Sequence, residues 1–135
     1  MLVKDDVMPL LLAACPSFRA AWEAYRAEPT YEADLLYVDL GELAHHLVEL
    51  MRRGATDEFP AVFDGVERLH VEGDDFVKEA ATIGLLEGIQ NVAGNSGVEP
   101  ARFVPYLKPE SARWWAELEA FWDGKAAHVG ARLKP

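Results

Sequence analysis

Apolar residues recur along nearly the whole chain at the three- and four-residue spacing of an α-helix, and this pattern constrains the fold more than any other feature. Phe18, Trp22 and Tyr25, for example, fall at i, i+4 and i+7 and therefore share one helix face. No segment shows the sustained alternation of apolar and polar residues that marks a half-buried strand. The sequence therefore predicts an all-α protein.

Prolines, glycines and small polar residues divide the helical pattern into short segments. Ser17 and either Asp74 or Asp75 are suited to cap helices, Gly54 is suited to end one, and Pro109 is suited to a helix start. Short helices joined by short loops predict a single compact domain of six to seven antiparallel helices, a helical array. The predicted helical segments cover residues 4–15, 18–27, 33–53, 57–72, 75–91, 99–107 and 109–122.

Small residues within two of these helices bear on close packing. Ala80, Gly84 and Gly88 lie at i, i+4 and i+8, and such a ridge allows a second helix backbone to approach closely. Gly41 weakens the helix over 33–53 by roughly 1 kcal/mol relative to alanine, so we expect a close neighbour or a bend there.

The length of 135 residues suits one ordinary domain, and 50% of the residues are hydrophobic, enough for a packed core. We expect residues 1–124 to form this domain and residues 125–135 to be a weakly patterned C-terminal tail. Cys15 is the single cysteine, which excludes an internal disulfide and is typical of a reducing compartment. We find no secretory leader and no apolar run of about 18 residues, so we expect a cytoplasmic protein.

The net charge of −10 is concentrated in the middle of the chain. Residues 57–87 hold nine acidic and two basic side chains, a net charge of −7. Such a field repels nucleic acid and anionic membranes and accelerates association with a basic protein partner, although it can also serve solubility alone. On this acidic segment we consider Glu67, Glu72, Asp74 and Asp75 as partner-binding residues.

Two further clusters are candidates for contacts with a partner. Glu87, Gln90 and Asn91 fall at i, i+3 and i+4 in a small and apolar helix, where they form either a polar cluster in a groove or a solvated helix edge. The last predicted helix carries aromatic residues over a broad arc, among which Trp114 is a candidate anchor, although core packing also explains the pattern. A broad aromatic surface could equally make a homodimer.

The pattern Glu-x-x-His occurs twice, as Glu42 with His45 and as Glu67 with His70. Each pair shares a helix face, and two such helices with a further carboxylate such as Glu87 could hold a pair of iron ions. His45 lies off the leucine stripe of its helix, however, where pairing with neighbouring glutamates at the surface is the simpler account. We therefore expect no metal and no cofactor, and a helical metalloprotein stays as an alternative.

We recognise no catalytic motif. The sequence lacks a glycine-rich phosphate loop, a nucleotide-binding glycine pattern and a recognisable Ser–His–acid set. Cys15 follows an apolar run and precedes Pro16, a setting typical of a packed thiol rather than a nucleophile. The sequence thus favours a non-enzymatic, protein-binding module.

A scattered set of aromatic, acidic and glycine positions marks the second half of the chain. The set comprises Phe63, Val66, Glu67, Leu69, Glu72, Gly73, Asp74, Ala81, Gly84, Glu87, Gln90, Asn91, Phe103, Tyr106, Leu107, Trp115, Leu118, Phe121, Trp122 and Gly124. With these residues, the stretch 59–124 resembles small, acidic, all-helical bacterial proteins that are similar to immunity proteins of toxin systems. The resemblance implies a protein that neutralises a toxin by binding it, and it implies no catalytic residue.

Overall fold

The computed structural model describes residues 1–123, and over this range the chain forms seven α-helices and no β-strand. The predicted all-α, single compact domain is confirmed, while Gly124 and the tail predicted over 125–135 lie outside the described residues. None of the helices within 1–123 is both long and apolar enough to cross a membrane. The helices are α1 (Lys4–Ala14), α2 (Arg19–Arg26), α3 (Leu36–Arg53), α4 (Phe59–Glu72), α5 (Asp75–Glu79), α6 (Glu87–Asn95) and α7 (Pro109–Trp122).

Three segments of other helical types connect these helices. Short 3₁₀ helices cover Pro16–Phe18 and Pro100–Tyr106, each of which begins with a proline. A π-helical segment over Ala80–Leu86 joins α5 to α6 without a break. The chain from α5 to α6 is therefore one long helix, and it ends four residues later than the predicted segment 75–91 because Gly94 is still helical.

Helix α3 is central to the domain because it packs along the π segment and α6. Its leucine stripe is buried as the spacing predicts, and Leu40, Leu43 and Leu47 are inaccessible to solvent. The helix ends at Gly54, whose φ of 72° is the left-handed conformation that glycine adopts without strain. Burial of each of these leucines stabilises the fold by about 1.5–3 kcal/mol relative to an exposed side chain.

The start of α3 is later than predicted. The segment 33–53 loses its first three residues because Asp34 adopts a left-handed φ of 67° and Leu35 is also outside the helical region. The ammonium of Lys4 donates a hydrogen bond to the Asp34 carbonyl oxygen at 2.9 Å, so α1 holds this turn in place. Aspartate is one of the few residues besides glycine that enters the left-handed region readily.

The predicted close approach occurs at the small-residue ridge. A Cβ atom on Gly84 would lie 2.9 Å from the Leu40 side chain and 3.1 Å from Tyr37, and one on Gly88 would lie 3.4 Å from the Ala44 side chain. By contrast, no atom lies within 4 Å of a Cβ built on Gly41, so the close neighbour predicted there is absent from the described residues. Of the three glycines, therefore, only Gly84 is required by close packing, which is against Leu40 and Tyr37 of α3.

Exchanging Gly84 or Gly41 for alanine should change the free energy of unfolding in opposite directions. Gly84→Ala should destabilise the protein by about 1–3 kcal/mol, because its Cβ overlaps the buried Leu40 side chain. Gly41→Ala should stabilise it by up to about 1 kcal/mol, because the helix gains propensity and meets no neighbour. Urea unfolding of both variants and the wild type checks this, and a stabilising Gly84→Ala substitution would contradict the described packing.

Candidate functional site

Glu67, one of the acidic candidates, caps a neighbouring helix. Its two carboxylate oxygens accept hydrogen bonds from the backbone amides of Glu110 (3.0 Å) and Ser111 (2.9 Å), and from the Ser111 hydroxyl at 2.9 Å. Burial opposes ionisation, but these hydrogen bonds prevail and keep the pKa of Glu67 below its usual value. The carboxylate thus satisfies the free amides at the start of α7.

His70 lies one turn further along α4 and is buried, with 4% of its surface exposed. Its Nδ1 lies 3.1 Å from the Val66 carbonyl oxygen and 3.0 Å from the Ser111 hydroxyl. Because a carbonyl oxygen can only accept, Nδ1 carries the proton, and Nε2 accepts from the Thr82 hydroxyl at 2.9 Å. Burial lowers the pKa of His70 to about 4, so the imidazole is neutral near pH 7.

The structure does not bring the two Glu-x-x-His steps together. Glu67 and His70 are occupied at the α4–α7 junction, whereas His45 is exposed on α3. Within residues 1–123, no group of three or more His, Cys, Asp or Glu side chains is placed to hold a metal ion. The geometry therefore gives the metal candidates Glu42, His45, Glu67, His70 and Glu87 no shared site.

The other acidic candidates divide into structural and free side chains. Asp74 caps α5, since its Oδ1 accepts from the Val77 amide at 2.9 Å. Glu72 forms an ion pair with Arg68 at 2.9 Å on the surface of α4. Asp75 is exposed in the first turn of α5. Of the four acidic candidates, Asp75 is the one that a partner could engage without removing a cap or an ion pair.

An apolar groove lies beside Asp75, between the start of α3 and α5. It has a volume of about 270 Å³ and is lined by Leu35, Tyr37, Val38 and Phe76, with Lys4 and Asp34 also contributing. The four apolar residues, which we call the Phe76 groove, are each between 37% and 49% exposed. Monomeric domains seldom expose several large apolar side chains side by side without a function.

Contacts within the groove define its shape and its charge. The rings of Tyr37 and Phe76 meet edge to face, with centroids 6.2 Å apart, and the Lys4 ammonium lies 5.9 Å from the Phe76 ring centre. Burial and the negative charge of Glu79 raise the pKa of Tyr37, which shows that this carboxylate acts on the groove. The groove therefore contains the Lys4 cation, while Glu79 acts on it from α5 and the exposed Asp75 directly precedes Phe76.

Sequence reasoning did not find this groove. Phe76 and Val77 both belong to the apolar pattern of their helix, yet Val77 is buried and Phe76 is 44% exposed. The spacing alone could not tell the two apart, because the apolar stripe of a helix is wide enough to bury adjacent residues such as Val62 and Phe63. The exposure of Leu35 was not readable, because it depends on the left-handed turn at Asp34.

The second predicted cluster lies at a separate hollow between α6 and α7. Gln90 and Asn91 line this hollow, of about 250 Å³, and the half-buried Glu87 is hydrogen-bonded to the Trp122 side chain. Gln90 donates to the Trp115 carbonyl oxygen at 3.4 Å, while its buried Oε1 has no hydrogen-bond partner in the described part of the chain. Two of the three predicted residues therefore line the hollow, and Glu87 is joined to it through its hydrogen bond with Trp122.

The candidate anchor Trp114 is not exposed, and a different tryptophan of α7 is. Trp114 is buried, with 6% of its surface exposed, and the Arg113 guanidinium covers its ring at 4.3 Å. Trp122, at the end of α7, is 59% exposed and lines the α6–α7 hollow. The helical spacing places both on the aromatic arc, and only the packing of α7 against its neighbours distinguishes them.

A Ser–His–acid set that the sequence did not reveal is assembled from the 3₁₀ helix Pro16–Phe18, from α3 and from the residue that precedes α4. The Ser17 hydroxyl and amide both donate to the Glu58 carboxylate, and His46 Nε2 lies 2.9 Å from the same hydroxyl. Since Ser17 donates its proton to Glu58, His46 must donate to Ser17 and cannot act as its base. Burial raises the pKa of the adjacent Cys15 to about 11, so its thiol stays protonated. The arrangement ties helices together rather than activating a nucleophile.

Comparison with known proteins places this helical domain in a family. The chain belongs to DUF7674, a domain of unknown function whose family model matches residues 8–123. Nearly all of the described chain, including the Phe76 groove and the α6–α7 hollow, lies within that match. Neither the curated proteins nor the solved structures contain a significant match.

Burial of His70 predicts a specific loss of stability in acid. The folded-state pKa of about 4 is below the ordinary 6.5, so between these values the unfolded chain binds more protons and stability falls as the pH falls. The loss should reach up to roughly 3 kcal/mol across this range. His70→Gln should be less stable at about pH 7 but show a shallower decline in urea unfolding, whereas His45→Gln on the exposed face of α3 should keep the wild-type slope. Equal slopes for all three proteins would contradict a neutral, buried His70.

Proposed function

We propose that this protein is a non-enzymatic binding module that captures a basic protein partner in the Phe76 groove. The observation that carries the proposal is an exposed apolar groove whose Tyr37 is under the negative charge of Glu79 and whose Phe76 follows the exposed Asp75. The apolar side chains supply the buried centre of an interface, and Asp75 and Glu79 supply the charged rim. The partner would insert an apolar side chain flanked by lysine or arginine.

Charge complementarity supports a basic partner over an acidic or neutral one. Residues 57–87 carry a net charge of −7, and several of their carboxylates are already committed to caps and ion pairs. The rim carboxylates remain available to a partner, and such rim charges act chiefly on the association rate. The groove residues would set the dissociation rate, because apolar anchors are buried only in the complex.

More specifically, we propose a bacterial, cytoplasmic immunity protein that neutralises a toxin by binding to a basic surface of that toxin. This form rests on the resemblance of the stretch 59–124 to such proteins and on the acidic segment. A homodimer formed through the same groove is the competing possibility, since a second copy would also cover the apolar side chains.

The test begins with a photo-crosslinking amino acid at Val38, in the groove, to capture the partner in the cells that make this protein. The association and dissociation rates of the purified pair are then measured by surface plasmon resonance. Phe76→Ala should raise the dissociation rate by about tenfold or more, as expected for an interface anchor. The double variant Asp75→Lys/Glu79→Lys should slow association several-fold at low salt, and the difference should shrink as salt rises.

Matched controls separate the groove from general surface effects. Val71→Ala removes an exposed apolar side chain on α4, and Glu23→Lys reverses a charge on α2, and neither residue lines the groove. Both should leave the rates unchanged. Unchanged kinetics for the groove variants, or a homodimer in sedimentation that Phe76→Ala dissociates, would overturn the proposal.

A further inference from the structure

A third concave site lies on the other side of the Lys4–Asp34 contact, between α1, α2 and the first turn of α3. The cavity has a volume of about 260 Å³. Trp22 and Tyr31 form aromatic walls, and Met8 and Leu36 contribute apolar surface. Five charged side chains also line it, namely Lys4, Asp5, Arg26, Asp34 and Asp39. Nothing in the proposed capture of a partner protein uses this cavity.

The notable group in the cavity is the carboxylate of Asp39. Only 6% of this residue is exposed, and it is the one buried acidic residue of the described chain. Its single hydrogen bond within residues 1–123 comes from the Tyr25 hydroxyl, at 3.0 Å to Oδ1. A carboxylate can accept about four hydrogen bonds. The second oxygen accepts none from a side chain of residues 1–123 and is therefore available to whatever occupies the cavity.

Two cations oppose this carboxylate. Burial raises the pKa of Asp39, and the positive charges of Arg26 and Lys4 act on the carboxylate in the opposite direction. The Arg26 guanidinium lies 5.6 Å from the centre of the Trp22 ring, and the Lys4 ammonium donates to the Asp34 carbonyl oxygen. Neither cation forms an ion pair with any side chain in the described range. The cavity therefore presents unpaired charges of both signs.

We propose that this cavity binds a small zwitterion, a free α-amino acid, with its ammonium against Asp39 and its carboxylate against Arg26. A simple amine would meet the repulsion of Arg26 and Lys4, and a simple acid would meet that of Asp5, Asp34 and Asp39. An amino acid satisfies both signs at once, and its side chain would lie along Trp22 and Tyr31. The volume is below the roughly 300–1,000 Å³ of sites for drug-sized ligands, which limits the ligand to a molecule of this size.

The experiment screens the twenty common amino acids, each at millimolar concentration, for a rise in the melting temperature of the full chain. The best ligand is then compared by calorimetry with the amine that lacks its carboxylate and the acid that lacks its amino group. We expect the amino acid to raise the melting temperature by several degrees and to bind at least about tenfold more tightly than either analogue.

Variants locate the site. Asp39→Asn keeps an acceptor for Tyr25 but removes the charge, and it should weaken amino-acid binding by about tenfold or more. Asp64→Asn is the matched control, because Asp64 is exposed on α4 beside Lys108 and does not line the cavity. Arg26→Gln, at an exposed position on α2, gives a second test that does not alter the buried carboxylate.

The proposal fails if no amino acid in the screen raises the melting temperature, or if Asp39→Asn and Arg26→Gln both bind like the wild type. It also fails if the amine alone binds as tightly as the amino acid, since the site would then recognise a cation. If Asp39→Asn does not fold, the loss of binding in Arg26→Gln together with the analogue comparison decides the matter. Binding by Phe76→Ala should be unaffected, which separates this result from the proposed capture of a protein.

Discussion

A buried chain of hydrogen bonds from Glu67 through Ser111 and His70 to Thr82 organises the domain, because it joins three separate elements at one point. Glu67 and His70 come from α4, Ser111 from the start of α7, and Thr82 from the π segment. In a low-dielectric interior such bonds are strong when complete and costly when broken. These hydrogen bonds therefore fix where α7 begins and how the long helix from α5 to α6 lies against α4.

The same network changes how the acidic segment is understood. Much of its negative charge serves the fold, since Glu67 and Asp74 cap helices and Glu72 pairs with Arg68. Net charge alone does not distinguish such carboxylates from free ones, because both count equally in the sum. Asp75 and Glu79 are exposed on α5 and take no part in these caps and pairs. One acidic segment therefore holds carboxylates that stabilise the fold beside others that face solvent.

The turn at residues 33–35 lies between the Phe76 groove and the cavity lined by α1, α2 and α3. The left-handed conformation of Asp34, held by Lys4, delays the start of α3 and turns Leu35 outward into the Phe76 groove. On the other side of the turn, Leu36 and Asp39 close the cavity against α1 and α2. Both sites therefore depend on a single contact between the first residue of α1 and the loop before α3.

Local periodicity and capping rules determined the helical content, most helix ends and the core stripe of α3, since these depend on residues within a few positions of each other. They also indicated the small-residue ridge at Gly84 and Gly88. The sequence could not distinguish Trp114 from Trp122, or Glu67 from Asp75, because the burial and pairing of these residues depend on which helix packs beside them. Residues from separate elements likewise come together in the cluster of Ser17, His46 and Glu58. The same holds for the cavity lined by Lys4, Arg26 and Asp39. Only the tertiary structure decides such encounters, because they depend on helix packing and not on spacing along the chain.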